Sequence, residues 1–255
     1  MKLGIFYTVF DGTELLPGAI NQILPYVDMV LIIRQEISNT GQKISEYDSS
    51  CMSRIPINPK VWQLDFLAIP NSNIKEMERK KHDEAIQFLK NKGCTHFIMS
   101  ACDHYYIPED FLKAKIKAFD YDVTLTSMYT YFKSPEWRLD PIEEYQMPFI
   151  CKIYPETKID KKEYNGFRTD PSVRINTRSK IYCFNQFEIM MHHYSMVRSD
   201  IKRKFDSAAI FKRTEEAMKR YLDEYNNYDI KANPGVEYFG GRKIKVVPNF
   251  FNIKI

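Results

Sequence analysis

Short apolar runs alternate with longer amphipathic segments through the first half of the chain. The apolar runs predict buried strands at residues 3–7, 29–33, 61–69, 97–99 and 123–128. The amphipathic segments predict helices that end near residue 24 and that cover 74–91 and 108–119. Strands that alternate with helices of about this length are typical of βαβ units, so we expect an α/β protein with a mostly parallel sheet flanked by helices.

The pattern changes after residue 130. Strand-like segments at 146–154 and 180–184 are separated by a polar loop, an apolar segment follows at 187–197, and basic residues begin a helix at 198–204. A last amphipathic helix is predicted at 209–225. We therefore predict one domain over 1–255, with a nucleotide-binding half at 1–130 and an acceptor-side half with a C-terminal helix at 131–255.

Composition adds few constraints to this picture. The formal net charge of +4 permits an anionic partner, but dedicated DNA-binding domains are usually more basic. The 17 Tyr and 17 Phe suit a core, or a cleft that stacks sugars or bases. Five scattered cysteines, no signal-peptide pattern and no apolar stretch of about 18 residues predict a protein of a reducing cytosol, in a bacterium or a phage-infected host.

The chemistry that the sequence suggests is centred on Asp103 and His104, which follow the apolar run at 97–99. Ligands of open α/β sheets bind at the carboxyl ends of strands, and a carboxylate there can hold a divalent cation that bridges to a diphosphate. The alternative is a purely structural role, in which Asp103 caps the turn before Pro108. The phosphate loop, the GxGxxG sequence and the zincin and serine-hydrolase signatures are all absent from the sequence.

Two adjacent histidines, His192 and His193, form a second candidate site. Neighbouring residues of a strand point to opposite faces, so at most one of the two can face a given cleft. Neutral imidazole binds manganese-like metals, although a single histidine is more often structural. The basic residues that follow, among them Arg198 and Lys204, can clamp a leaving diphosphate.

Two weaker signals lie in the first half. The polar loop at 35–41, with Gln35 and Ser38, can contact a base or a ribose, or it can simply form a turn. Arg79 or Lys80 can reach phosphates, but a solvated helix face is the default interpretation for both. His82 falls on the apolar stripe of the same helix, and we predict a core histidine.

Together these segments resemble GT-A-fold, family-2-like nucleotide-sugar glycosyltransferases of bacterial or phage type. The resemblance covers roughly residues 1–205 and rests on the order and spacing of the segments at 7–16, 35–41, Arg79, 101–104 and 192–198. It implies that Tyr7, Thr8, Asp11, Gln35, Ser38 and Arg79 lie on the donor side, together with Ala101, Asp103, Arg198 and Lys204.

The resemblance also implies a metal site, at which Asp103 matches the second aspartate of an Asp-x-Asp sequence and His192 or His193 matches a late histidine. Ala101 stands where the first aspartate is expected, so His104 is a further candidate ligand. Four carboxylates remain open as the catalytic base, and the sequence does not choose among Asp140, Glu143, Glu144 and Glu188.

The function implied is a hexosyl- or pentosyltransferase that uses Mn²⁺ or Mg²⁺ and a UDP-sugar. The acceptor is expected to be a bacterial surface saccharide or, as a second choice, hydroxymethylated phage DNA. The basic segments at 158–180 and 198–213 favour the DNA acceptor. A nucleotidyltransferase and a noncatalytic saccharide- or nucleic-acid-binding protein are the alternatives, and Ala101 favours the noncatalytic protein.

Overall fold

Two β-sheets organise the chain. The computed structural model describes residues 1–39, 41–67, 69, 73–160, 164, 166–169, 173–176, 180–207, 214–232 and 234–255. Within this part the first sheet has seven strands: β1 (Leu3–Val9), β2 (Met29–Arg34), β3 (Val61–Asp65), β4 (His96–Ala101), β6 (Val123–Thr126), β9 (Met147–Lys152) and β10 (Ile181–Cys183). Their order is β10-β6-β9-β4-β1-β2-β3, and β9 alone among them runs antiparallel to its neighbours.

Helices cover both faces of this sheet. Alternate residues of β1 point in opposite directions, with Ile5 and Tyr7 in one apolar cluster and Phe6 in another. The first cluster contains α1 (Leu16–Ile23) and α4 (Pro108–Ala118), and the second contains α3 (Ile74–Asn91). A parallel sheet buried on both faces is what continuous apolar runs predict. The predicted α/β fold with a mostly parallel, helix-flanked sheet is therefore confirmed.

Two of the predicted strands need correction. The run at 61–69 was expected to be one buried strand, but β3 ends at Asp65 and is only partly buried. It lies at the edge of the sheet with β2 as its single neighbour among the described strands, so one flank has no strand to cover it. The run at 123–128 is divided at Ser127, where the chain leaves β6 and enters a strand of the second sheet.

The second sheet was not predicted. Its strands are β5 (His104–Tyr105), β7 (Met128–Phe132), β8 (Trp137–Asp140), β11 (Met191–Met196) and β12 (Lys243–Val246), in the order β12-β8-β7-β11-β5. These strands are short and come from distant parts of the chain, so no local periodicity reveals their pairing. β11 runs parallel to β7 and antiparallel to β5, and this pairing brings the late histidines next to the segment after β4.

The remaining α-helices of the described residues are α2 (Glu46–Met52), α5 (Ile201–Ser207) and α6 (Glu215–Asn227). The helix predicted at 209–225 corresponds to α6, and the predicted start at 209 lies outside the described residues. Phe205 of α5 and Tyr221 and Tyr225 of α6 share an apolar cluster with the second sheet. None of the described helices is long and apolar enough to cross a lipid bilayer.

Candidate functional site

Asp103 lies in the turn between β4 and β5, at the carboxyl end of the central parallel strands. The residue is only 2% exposed. Its Oδ2 accepts a hydrogen bond from Arg198 Nη2 at 2.5 Å. Its Oδ1 is buried and has no hydrogen-bond partner among the described residues. A buried carboxylate oxygen without a partner is costly, so this atom is a position at which a ligand or an ion would be stabilising.

Three more polar side chains surround the same carboxylate. Lys204 Nζ and His193 Nε2 lie 4.0 Å and 3.9 Å from Oδ2, and His104 Nε2 lies 3.7 Å from Oδ1. Burial alone would raise the pKa of Asp103, but the neighbouring charges, led by Arg198, lower that pKa well below its ordinary value. Asp103 is therefore ionised at neutral pH.

Arg198 connects this cluster to the loop after β1. Its guanidinium is buried and donates from Nη1 to the carbonyl oxygen of Gly12 and from Nε to that of Ser195, each at 3.2 Å. Gly12 has a φ of +65°, and a Cβ built there would lie 1.7 Å from Arg198 Nη1. Only glycine therefore allows the loop to approach the guanidinium this closely.

A charged pocket opens beside Arg198. It has a volume of about 270 Å³, and its lining includes Asp11, Asp48, Arg203 and Lys204. Asp11, predicted on the donor side, accepts a hydrogen bond from Ser207 at 2.5 Å through its Oδ2. The structure therefore brings Asp11, Asp103, Arg198 and Lys204 together.

The two adjacent histidines lie on opposite faces of β11. Across the second sheet, His193 is paired with His104 on one side and with Thr130 on the other. His192 is paired with Tyr105 and with a tyrosine of β7. Directly opposed residues of neighbouring strands share a face, so His104, His193 and Thr130 form one row and the aromatic residues form the reverse face.

His192 is enclosed on the reverse face. Its Nδ1 lies 2.7 Å from the Tyr131 hydroxyl, and its ring centroid lies 5.4 Å and 5.0 Å from those of Phe250 and Phe251. Burial, with the nearby charge of Arg138, lowers the pKa of His192 to about 3. The structure does not bring this predicted metal ligand to Asp103.

The residues on the Asp103 side form a cluster that suits a divalent ion in part. One ligand atom each from Asp103, His104 and His193 lies within 4.8 Å of the others. His104 Nδ1, however, accepts a hydrogen bond from the Ala101 N–H at 3.2 Å, so in the neutral ring the proton is on the Nε2 that faces Asp103. Burial lowers the pKa of His193 to about 3, which leaves its imidazole neutral. Asp103 Oδ1 and His193 Nε2 are therefore the best-suited ligand atoms.

The four candidate base carboxylates occupy different environments. Glu143 Oε1 accepts a hydrogen bond from Thr130 Oγ1 at 3.1 Å, and its Oε2 lies 2.7 Å from Arg242 Nη1. Since Thr130 is the strand neighbour of His193, Glu143 lies on the face of the second sheet that carries the Asp103 cluster.

Among the described contacts, the other three carboxylates are not linked to the face of the second sheet that carries the Asp103 cluster. Glu144 forms an exposed ion pair with Arg168, and Asp140 is exposed at the end of β8. Glu188 is held by Lys117 and Tyr182; burial opposes ionisation, but the hydrogen bond from Lys117 lowers the pKa of Glu188.

The predicted donor-side residues of β1 and β2 are partly structural. The Tyr7 hydroxyl donates to the Ala19 carbonyl inside the core, and Thr8 lies in the strand between its partners in β2 and β4. Ser38 Oγ accepts a hydrogen bond from the Gln42 N–H, which closes the loop after β2. Thr40 of this loop lies outside the described residues.

Sequence reasoning missed Lys81. Arg79 lines an open groove with Asp83 and Lys158, whereas Lys81 is buried and donates to Gln35 Oε1 at 2.5 Å. Burial lowers the pKa of Lys81 to about 8. The sequence does indicate that Lys81 is buried, because Lys81 lies four residues after Met77 and four before Ala85, on the apolar stripe of α3. His82, predicted to be a core residue, is buried against Phe6.

Comparison with known proteins gives structural matches only. No protein-family model matches the sequence, and no curated protein matches it. The structure is similar to S. aureus TarS (residues 1–349), with 11% identity and a TM-score of 0.44. That match covers 89% of this chain and 71% of the TarS chain, and a TarS structure in complex with UDP gives the same values.

A more distant match is the mannose-1-phosphate geranyltransferase from Thermus thermophilus, with 12% identity and a TM-score of 0.33. It covers 60% of this chain and 50% of that one. Structural similarities with TM-scores below 0.5 carry no conclusion about the donor, the acceptor or a metal ion.

Proposed function

We propose that this protein is a glycosyltransferase that moves a sugar from a nucleotide diphosphate donor, a UDP-sugar, to a hydroxyl acceptor. The observation that supports this most is Asp103, a buried carboxylate with one unpartnered oxygen at the carboxyl end of β4, surrounded by Arg198, Lys204 and His193. The ion pair between Asp103 and Arg198 alone would serve a structural role, but the unpartnered Oδ1 and the nearby Lys204 are what a metal ion and a departing diphosphate would use.

The immediate surroundings of Asp103 carry an excess of positive charge, although the pocket as a whole does not. Arg198 and Lys204 carry two positive charges and Asp103 carries one negative charge, which leaves the cluster with an excess of one. Arg203 lines the same pocket, but it lies 3.3 Å from Asp48, and the pocket is also lined by Asp11, Glu14 and Asp200, so a diphosphate there would need the added positive charge of a divalent ion. A diphosphate bound beside these groups is stabilised as negative charge develops on its bridging oxygen.

A divalent ion, Mn²⁺ or Mg²⁺, fits the proposal through two ligand atoms, Asp103 Oδ1 and His193 Nε2. One carboxylate and one imidazole suit Mn²⁺ better than Mg²⁺, which prefers oxygen ligands. When bound, such an ion would neutralise the diphosphate oxygens and so favour departure of the nucleotide. His104, with its proton at Nε2, would hold the Asp103 carboxylate in place by facing Oδ1.

The nucleoside is assigned to the carboxyl ends of β1 and β2. Gln35 begins the polar loop there, and Lys81 donates to it from α3. Gln35 Nε2 also donates to Asn39 Oδ1 at 3.0 Å, so the loop is held by side-chain hydrogen bonds. Lys81 therefore replaces Arg79 as the basic residue that we assign to the donor side.

Glu143 is the base that we propose for the acceptor hydroxyl. It is the candidate carboxylate that shares a face with His193, and Thr130 and Arg242 fix its position. In an inverting transfer it would remove the proton as the hydroxyl attacks the anomeric carbon. We propose a saccharide acceptor, and the five free cysteines agree with a reducing cytosol.

The test is release of UDP from a panel of UDP-sugars, with and without Mn²⁺, in the presence of glycan acceptors or hydroxymethylated DNA. We expect turnover with one donor, and a loss of about 10²–10³-fold in Asp103→Asn, as for removal of one strong electrostatic contact in an active site. Glu143→Gln should lower kcat while UDP binding, measured by calorimetry, is retained.

The matched control is Glu144→Gln, which removes a neighbouring carboxylate on the surface. Equal losses in Glu143→Gln and Glu144→Gln would exclude the assigned base. Binding of UDP-sugars without turnover of any of them would favour a noncatalytic binding protein, the function that Ala101 already favours.

A further inference from the structure

A second cavity lies on the aromatic side of the second sheet. It has a volume of about 420 Å³ and lies between α1, the start of α4 and the C-terminal segment at 250–252. Tyr105 forms part of its wall, and Tyr105 belongs to the row of the sheet opposite to that of His104. The short strand β5 therefore separates this cavity from the Asp103 cluster.

Aromatic rings form one wall of this second cavity. The Phe251 ring is packed 5.1 Å from Tyr105 and 5.0 Å from His192, so the buried aromatic layer fixes its position. Phe250 is 44% exposed beside it, although its ring contacts His192. Such a rigid and partly exposed aromatic surface is suited to stacking against the flat apolar face of a ring-shaped ligand.

Polar groups without partners complete the wall. The side chains of Glu109 and Asn252 line the cavity and form no hydrogen bond or ion pair within the described part of the chain. Gln22 accepts a hydrogen bond from the Tyr106 N–H through Oε1 at 3.0 Å, which fixes its amide, while its buried Nε2 has no acceptor there. The wall thus offers a carboxylate acceptor and amide donors next to aromatic rings.

We propose that this cavity is a second ligand site, which binds the pyranose ring of a neutral saccharide. A sugar ring presents C–H groups to Phe250 and hydroxyl groups to Glu109 and Asn252, and the cavity volume lies in the usual range for small-molecule sites. Among the described residues, no lysine or arginine lines the cavity, and Glu109 carries negative charge, so a phosphate or a nucleotide is disfavoured. The site is independent of the transfer chemistry proposed for Asp103.

The test is saturation-transfer NMR on the full chain with three probes: methyl β-D-glucopyranoside, methyl β-D-galactopyranoside and N-acetylglucosamine. At least one probe should bind the wild-type protein. Phe250→Ala should weaken that binding about tenfold, which corresponds to the loss of one aromatic contact. Glu109→Gln keeps the shape of the wall and should weaken binding by a smaller factor.

Two control variants test whether the sugar binds at this cavity and not elsewhere on the protein. Phe187→Ala removes a phenylalanine that is 88% exposed elsewhere, and Glu144→Gln removes the charge of an exposed carboxylate elsewhere. Both should bind the probe as the wild type does. Absence of binding by all three sugars, unchanged binding in Phe250→Ala, or loss of binding in Phe187→Ala or Glu144→Gln would each overturn the proposal, as would tighter binding of choline, a cation, than of any sugar.

Discussion

The two faces of the second sheet use the same residue type in opposite ways. On one face, His193 lies near a buried carboxylate, a guanidinium and an ammonium group. On the other face, His192 is packed among Tyr131, Phe250 and Phe251. The two residues are adjacent in sequence, so the alternation of the strand alone separates a polar site from an aromatic core.

This difference shows that the role of a histidine cannot be inferred from its residue type alone. The face of the strand to which its side chain points must also be known. Residues whose contacts are mainly aromatic should affect stability, whereas residues whose contacts are mainly charged should affect ligand binding and, where a charge is buried, stability as well. The following predictions test that division, beginning with the largest effect.

The largest effect should come from Arg198→Met. The variant leaves Asp103 ionised, buried and without its guanidinium partner, which costs about 3–5 kcal/mol in the free energy of unfolding. Urea denaturation would measure this loss. The double variant Asp103→Asn/Arg198→Met removes both charges and should recover more than half of it. A loss below about 1 kcal/mol in the single variant would show that the buried ion pair is not the main interaction on the polar face.

His192→Ala should destabilise the protein by about 2–4 kcal/mol, because it removes a ring from a packed aromatic layer. His193→Ala is the matched control one residue away. It should cost less than about 1 kcal/mol, because the side chain is 22% exposed, but lower the affinity for Mn²⁺ by more than the roughly 10–100-fold that loss of an outer-shell partner causes. Thermal unfolding and metal titration of the two variants would distinguish them, and the reverse pattern would contradict the assignment of the faces.

The pH dependence of stability should distinguish Lys81 from the surface lysines. Its pKa of about 8 in the folded protein is below the ordinary 10.5, so the folded state loses this proton before the unfolded state does. Wild-type stability should therefore rise by about 1 kcal/mol between pH 7 and 9 relative to Lys81→Met. Denaturation curves at both pH values would show this, and a constant difference between the two proteins would contradict it.

The smallest effect is expected at Glu144. Its ion pair with Arg168 is exposed on both sides, and exposed pairs contribute little to stability. Glu144→Gln should change the free energy of unfolding by less than about 0.5 kcal/mol. A larger change, measured in the same urea titrations, would mean that the outer surface near β9 contributes more than its exposure indicates.

Much of the first sheet could be predicted from the sequence, because β1, β2 and β4 are continuous apolar runs and the bounds of α3 were predicted to the residue. The second sheet could not be predicted. β5 has only two residues, and β8 and β12 pair across more than a hundred positions. Pairings of this kind depend on tertiary contacts and leave no local period.

The candidate site, like the fold, could be predicted only in part. Asp103 was identified because a carboxylate that ends an apolar run is conspicuous, and the alternation of a strand limited the adjacent histidines to one per face. The sequence does not show that Arg198 bonds to Gly12 or that Thr130 holds Glu143, because these contacts join segments that only the folded sheets bring together. Residue type alone does not single out Lys81, because charged residues on a helix are usually solvated.

The hydrogen bond from Arg198 to the carbonyl oxygen of Gly12 also limits when this part of the site can form during synthesis. The two residues are 186 positions apart, and Asp103 lies 95 positions before Arg198. During synthesis the first four strands emerge long before the guanidinium that neutralises Asp103. A nascent chain that ends before residue 198 cannot form the contact between Arg198 and Asp103, so during synthesis this part of the site can close only after the second half of the chain has emerged.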